Sequence, residues 1–219
     1  MFGDLSARLQ ELVLMIPAIL FAVTFHEVAH GWTAEKFGDP TARLAGRITL
    51  NPLPHIDPIG ALMFIIARFG WAKPVPVNPY NLRHPLRDMV WVAAAGPAAN
   101  LVLAAVSQLS VQLLSPVLRG PQLQFFAQPI LGILFWTYLL NLHLAAFNLI
   151  PIPPLDGSQI LKGFLPRETL LKYERLEPYG FILLILFLIS GVAPSVLRPI
   201  VWVLQLFAGI PARALEAIT

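Results

Sequence analysis

The stretch LVLMIPAILFAVTFHEVAHGW, residues 12–32, decides the fold. Between Leu12 and Phe25 the only polar side chain is that of Thr24, and then His26, Glu27 and His30 follow in quick succession. A run of this length and apolarity satisfies the roughly 20 residues a helix needs to cross a bilayer. Ionisable groups at that depth are expensive and are found where chemistry requires them. The segment therefore reads as a membrane-spanning helix with a polar cluster toward its C-terminal end. Asp4, Arg8 and Glu11 before it form no basic n-region, and no small-residue cleavage site follows, so the span is expected to be retained rather than removed as a signal peptide.

Composition extends that reading to the whole chain. Of 219 residues, 57% are hydrophobic and only 12% charged, against about 25% charged in a soluble domain; the mean hydropathy is +0.70. An integral membrane protein follows, with little chain left for a soluble domain. The absence of cysteine excludes disulfides, a thiol nucleophile and thiolate metal sites. The net charge of +3 is placed in loops at a lipid surface, with no patch for nucleic acid.

Four stretches are long and apolar enough to span: about Leu12–Trp32, Met89–Leu114, Pro129–Ile150 and Tyr179–Leu197. The run Ile59–Phe69, bounded by Pro58 and Gly70, is too short to cross and is expected to be re-entrant or interfacial. Pro199–Ile210 is assigned to an interfacial helix or an extension of the last span. Under four spans, eleven of the fifteen Lys and Arg fall on one side, in the loops 36–87 and 162–175; Arg8, Arg119, Arg198 and Arg213 fall on the other. The positive-inside bias puts the richer loops in the cytoplasm. Two pieces, 47–52 and 73–79, are proline-rich and alternating, which forbids helix and predicts short edge strands associated with the membrane. The expected fold class is an all-α membrane protein of about four spans with a re-entrant segment and short strands. One domain is expected over 1–219, with a catalytic core of about 12–160 and a C-terminal span and helix over about 179–217.

The chemistry begins with His26-Glu27-Val28-Ala29-His30. Residues four apart share a helix face, so both imidazoles can reach one ion. Zinc accepts imidazole nitrogen and, in catalytic sites, keeps one position for water; Glu27 is placed to take a proton from that water. A third ligand is required, and His55, Asp57, His143 and Asp156 are the candidates. Asp156 follows the third span on the same side as the histidine pair, in a proline-rich stretch ending Leu155-Asp156-Gly157.

His26-Glu27-Val28-Ala29-His30, then Asn51-Pro52-Leu53-Pro54-His55-Ile56-Asp57-Pro58-Ile59-Gly60, then Gly96-Pro97-Ala98-Ala99-Asn100, then Pro154-Leu155-Asp156-Gly157 occur in this order. Together they resemble the site-2 protease family of intramembrane zinc metalloproteases, in its compact form without inserted PDZ or C-terminal CBS modules. The resemblance covers about residues 20–160. It implies one Zn2+ held by His26, His30 and Asp156, with Glu27 as general base. It also implies that Asn100 donates to the developing oxyanion, against a polar helix-packing contact as the alternative. By the same resemblance Asn148, His55 and Asp57 bind substrate or gate the site; the alternatives are hydrogen bonds to carbonyls freed near Pro151 for Asn148, and within the loop for His55 and Asp57. His143 is expected to be an interhelical hydrogen-bond partner.

The function expected from residues and resemblance together is hydrolysis of peptide bonds in or near transmembrane segments of membrane-anchored proteins. The partners are then transmembrane substrates and the lipid bilayer, with no nucleic acid; self-association is left open. Two rival readings are a membrane metal transporter and an inactive binder of transmembrane clients. Transport usually uses polar residues spread along a path and internal repeats, neither of which is visible, and simple binding has no need of Glu27.

Overall fold

A computed structural model of the chain describes residues 2–67, 70–118, 120 and 123–208. Arg68, Arg119 and Arg213, part of the charge balance above, lie outside the described residues, as do Phe69 and the stretch 209–217. The first element is α1 (Phe2–Lys36), whose Glu11–Lys36 portion is long and apolar enough to span. A short helix α2 (Thr41–Leu44) and a ten-residue helix α3 (Pro58–Ala67) follow. At 1.5 Å per residue, α3 is only about 15 Å long and cannot cross. The long helices α4 (Pro85–Leu118) and α5 (Gln124–Asn148) complete, among the described residues, a set of three helices able to span.

Helix α1 packs against both α4 and α5, and α4 and α5 pack along each other. Small residues make this close approach available: Ala18, Ala22, Ala104, Ala145 and Ala146 are all buried. Leu12, Val13, Ile16 and Phe21 of α1 and Val102, Val106, Leu109 and Leu113 of α4 point outward, where lipid tails rather than water meet them. Asp88 opens α4: its side chain accepts the His84 N–H at 2.7 Å and satisfies one of the donors a helix start leaves free.

After α5 come α6 (Asp156–Lys162), α7 (Arg167–Glu174), α8 (Gly180–Ile189) and α9 (Ala193–Ala208). The expected span at 179–197 is not one straight helix. The segments Arg167–Ile189 and Ala193–Ala208 meet at 91°, so a fourth crossing exists only if the bent pair counts as one. The break falls at Gly191, whose φ of 75° is the left-handed turn that ends helices, and Pro194 follows it.

The short strands expected at 47–52 and 73–79 do not form. Among the described residues there is no sheet, only an isolated bridge between Ile56 and Ala72. Pro74, Pro76 and Pro79 have no N–H to give a ladder. Of the amides that remain, Val75 N–H donates to Glu27 Oε2 at 2.8 Å, Asn78 N–H to Asp39 Oδ2 at 2.7 Å, and Lys73 N–H to the His55 carbonyl at 2.9 Å. The segment 73–78 is thus a strap tied to α1 and the loop after it.

Candidate metal centre

His26 and His30 stand one turn apart on α1 and share a face. Their rings meet edge to face with centroids 4.6 Å apart, and their Nε2 atoms are 3.0 Å apart. Asp156, the first residue of α6, brings Oδ2 to 3.2 Å from His26 Nε2 and Oδ1 to 3.4 Å from His30 Nε2. Gly157 makes that approach possible, since a Cβ there would lie 2.5 Å from the Leu149 carbonyl carbon. The chain can therefore fold back on the end of α5 and deliver Asp156 to the histidines.

The outer ring nitrogens fix what the inner ones can do. His30 Nδ1 is 2.7 Å from the Val92 carbonyl, which only accepts, so Nδ1 carries the proton. His26 Nδ1 is 2.6 Å from Asn100 Oδ1. The amide of Asn100 cannot be turned over, because its nitrogen donates to the Ala22 carbonyl at 3.0 Å and to Asn141 Oδ1 at 2.7 Å. Asn141 in turn donates to the Thr137 carbonyl at 2.7 Å. With Nδ1 of both rings turned outward to Asn100 and Val92, both Nε2 atoms face Asp156, and in the neutral rings they present lone pairs to it.

Two imidazole nitrogens and a carboxylate thus converge, all of them acceptors when the rings are neutral, and the buried Asp156 Oδ2 has no hydrogen-bond partner among the described residues. Such a cluster repels itself unless a cation lies at its centre. Two nitrogens and one oxygen are the donor set of catalytic zinc, whose bond lengths of about 2.0–2.1 Å put tetrahedral ligand atoms about 3.3 Å apart. The Nε2–Nε2 spacing of 3.0 Å and a carboxylate oxygen within 3.2 Å of one nitrogen and 3.4 Å of the other, with one ligand atom of each residue within 4.8 Å of the rest, fit a single metal ion. Gly96 of α4 walls the pocket: a Cβ there would lie 2.6 Å from His26 Cε1. Its neighbour Pro97 has no N–H and opens the helix ladder next to the Val92 carbonyl that His30 uses.

Glu27 is half-buried beside the ligands, with Oε2 taken by the Val75 N–H. Asn100 is fully buried, and both of its N–H groups are spent on Ala22 and Asn141. His55 is buried and bonds the Thr49 carbonyl at 3.0 Å through Nε2. Asp57 Oδ1 caps α3, accepting the N–H groups of Ile59 and Gly60 at 2.9 and 2.8 Å. Asn148 donates back to the Leu144 carbonyl at 3.0 Å, and His143, exposed on α5, has Nδ1 2.8 Å from the Leu139 carbonyl. Among the described residues, the group that could hold a metal ion is His26, His30 and Asp156, without His55, Asp57 or His143.

Three participants were not singled out from the sequence. Asn141 is a fully buried amide in an apolar span, and the argument that flagged Glu27 would have found it. The Val92 carbonyl and the Val75 N–H are backbone groups, which no sequence pattern marks.

The profile of Peptidase family M50 matches residues 106–190, a stretch that contains Asp156. A Bacillus subtilis protein named "Putative zinc metalloprotease YwhC" is 36% identical over 209 residues, covering 90% of this chain and 91% of that one. A Mycolicibacterium smegmatis protein named "Putative zinc metalloprotease Rip2" is 33% identical over 183 residues, covering 81% and 67% respectively. The protein of the same name from Mycobacterium tuberculosis is 31% identical over 189 residues, covering 84% and 68%. No solved structure matches. A zinc-type donor set on a membrane-spanning helix and at the start of the short helix α6, and a relative that matches along nine-tenths of the chain, lead to one conclusion: the chain belongs to peptidase family M50, the site-2 protease family, and is a metalloprotease.

Proposed function

We propose that the chain is an intramembrane zinc protease of the cell membrane, working as one domain, with its site toward the cytoplasmic side. Its substrates are then membrane-anchored proteins cut in or near their transmembrane segments. The observation that carries this reading is the convergence of His26 Nε2, His30 Nε2 and the Asp156 carboxylate through contacts of 3.0–3.4 Å, with a carboxylate on the residue next to His26. Depth supports the location, because His26, Glu27 and His30 all fall inside the Glu11–Lys36 span. The side follows from the Lys and Arg balance of the loops.

Zinc, when bound, supplies a Lewis acid that polarises the scissile carbonyl and makes water acidic enough to attack at neutral pH. The protein does the rest. His26, His30 and Asp156 provide the ligand atoms and leave a side open to substrate. Glu27 takes the proton of the attacking water and passes it to the leaving amine. Asn100, whose donors are already occupied, acts as a positioning residue for His26, in place of the oxyanion role expected from the motif. His55 and Asp57 shape the loop before α3. Substrate helices must unwind locally, since an intact helix holds its carbonyls in internal hydrogen bonds.

The test compares wild type with Glu27→Gln in the native cell at matched expression, together with zinc content of the purified proteins. Both should hold one zinc per chain, and single-span fragments should accumulate only in the variant, as judged by quantitative membrane proteomics. Full turnover by Glu27→Gln would end the assignment. A shift in cellular zinc with no fragment accumulating would turn the reading to metal transport.

A further inference from the structure

Arg47 is buried, with 8% of its surface exposed, and among the described residues it has no carboxylate partner. Burying a guanidinium is costly unless its donors are used. Both terminal nitrogens are used on backbone, while Nε has no partner among the described residues: Nη2 donates to the Lys73 carbonyl at 2.6 Å and Nη1 to the Pro74 carbonyl at 3.1 Å. The planar fork of Arg suits two consecutive carbonyls in a way the single point of a Lys ammonium does not. The Pro74 carbonyl belongs to the same peptide unit as the Val75 N–H, and that N–H donates to Glu27 Oε2 at 2.8 Å. In a trans peptide the two groups point in opposite directions. One peptide plane therefore lies between a guanidinium on its oxygen side and a carboxylate on its hydrogen side. Its dipole, about 3.5 D, is favourably placed at both ends.

We infer that Arg47 is a positioning residue for Glu27, acting through the Pro74–Val75 peptide unit. This rests on Glu27 being the base of the proposed reaction. Arg47 locks the plane of that peptide, the locked N–H takes Oε2, and Oε1 is left for the attacking water. The strap is braced a second time by Asp39, which holds the Asn78 N–H, so Arg47 has only one peptide to orient. Without Arg47 the plane can rotate, and Glu27 loses the partner that fixes its rotamer.

Two measurements on the full chain in detergent test this, and the first does not need activity. The sequence contains three Pro-Val pairs, at 74–75, 76–77 and 116–117, so carbonyl-13C proline with 15N valine gives three amide signals. Glu27→Gln should move one of them upfield, as a charge-assisted bond becomes neutral. Arg47→Met should move that same signal and leave the other two in place. If Arg47→Met leaves unmoved the signal that Glu27→Gln moves, the inference falls.

The second measurement uses zinc-loaded protein of equal metal content and an internally quenched peptide carrying one apolar span. Arg47→Met should lower kcat by about 10- to 100-fold with KM unchanged, the range for groups that orient a reacting shell. Val75→Pro, which deletes the N–H, should do the same, and the double variant should be no worse than the poorer single one. Additive losses, or a change confined to KM, would overturn the inference. Arg47→Lys is the milder probe should Arg47→Met fail to fold: it should show an intermediate kcat and an intermediate shift, and wild-type behaviour in both would count against the role. If wild type cleaves nothing, it is the protease reading that fails, and the amide signals still decide the role of Arg47.

Discussion

Asn100 Oδ1 lies 2.6 Å from His26 Nδ1, where α4 meets α1, and this bond decides which nitrogen of His26 is bare. The oxygen can face the ring only because the amide nitrogen is claimed by Ala22 and Asn141. The bond is thus the last link of a chain from the Thr137 carbonyl through Asn141 and Asn100 to the metal side of the imidazole. Each member is buried within the bundle, so water cannot substitute for a lost link.

Asn141→Leu should therefore weaken zinc binding without touching a ligand. The expected loss is about 10- to 100-fold in affinity, as for other groups that orient a ligand histidine. Competitive titration against a chromophoric chelator measures it. Asn141→Asp retains an acceptor for Asn100 and should lose less.

Gly96→Ala puts a methyl group against both imidazoles, 2.6 Å from His26 Cε1. The rings must move or the helices part, at about 1–3 kcal/mol for overpacking of this kind. Zinc content should fall below one per chain while the helical circular dichroism stays close to that of wild type.

Chelation should lower the melting temperature of wild type and of Glu27→Gln by the same amount. Ligand at 1,000 times its Kd contributes about 4.1 kcal/mol to the folded state. His26→Ala/His30→Ala should melt at one temperature with or without chelator. A chelator-sensitive melt in that double variant would place the metal elsewhere.

Asp39 provides a pH test away from the spans. Its burial alone would raise the carboxyl, but bonds from the Thr41 and Asn81 side chains and from the Asn78 and Thr41 N–H groups outweigh this and hold it below the ordinary value. A depressed folded-state pKa gives stability that is present above the unfolded value of about 3.9 and lost as pH falls through the folded value. Asp39→Asn should thus cost about 1–3 kcal/mol near neutrality, as the buried charged acceptor of several hydrogen bonds is replaced by a neutral amide with one acceptor oxygen. The gap to wild type should narrow below about pH 4, as followed by denaturation at several pH values.

The three spanning helices were legible because lipid asks only for length and apolarity, and the runs around Ile16, Val102 and Leu139 supply both. The ligand pair was legible because helical spacing fixes its geometry before any tertiary structure exists. Hydropathy sums composition and ignores backbone angles, so the run through Ile189 read as continuous across Gly191. The strand expectation failed at Val75 and Asn78, where alternation showed which way side chains could point but not what the remaining amides would bond. Arg47 read as a loop charge because nothing in its neighbourhood reveals a carbonyl pair far along the chain.

The division of the site among helices has a consequence for how the protein is made. His26, Glu27 and His30 all ride on α1, while the groups that satisfy them come from Val75, Val92, Asn100 and Asp156. A nascent α1 reaching the membrane alone carries its ionisable side chains without those companions, a state that lipid penalises. The last of the groups that offset this cost belongs to Asp156, so the first helix has its full set of companions only after the chain has been made through that residue.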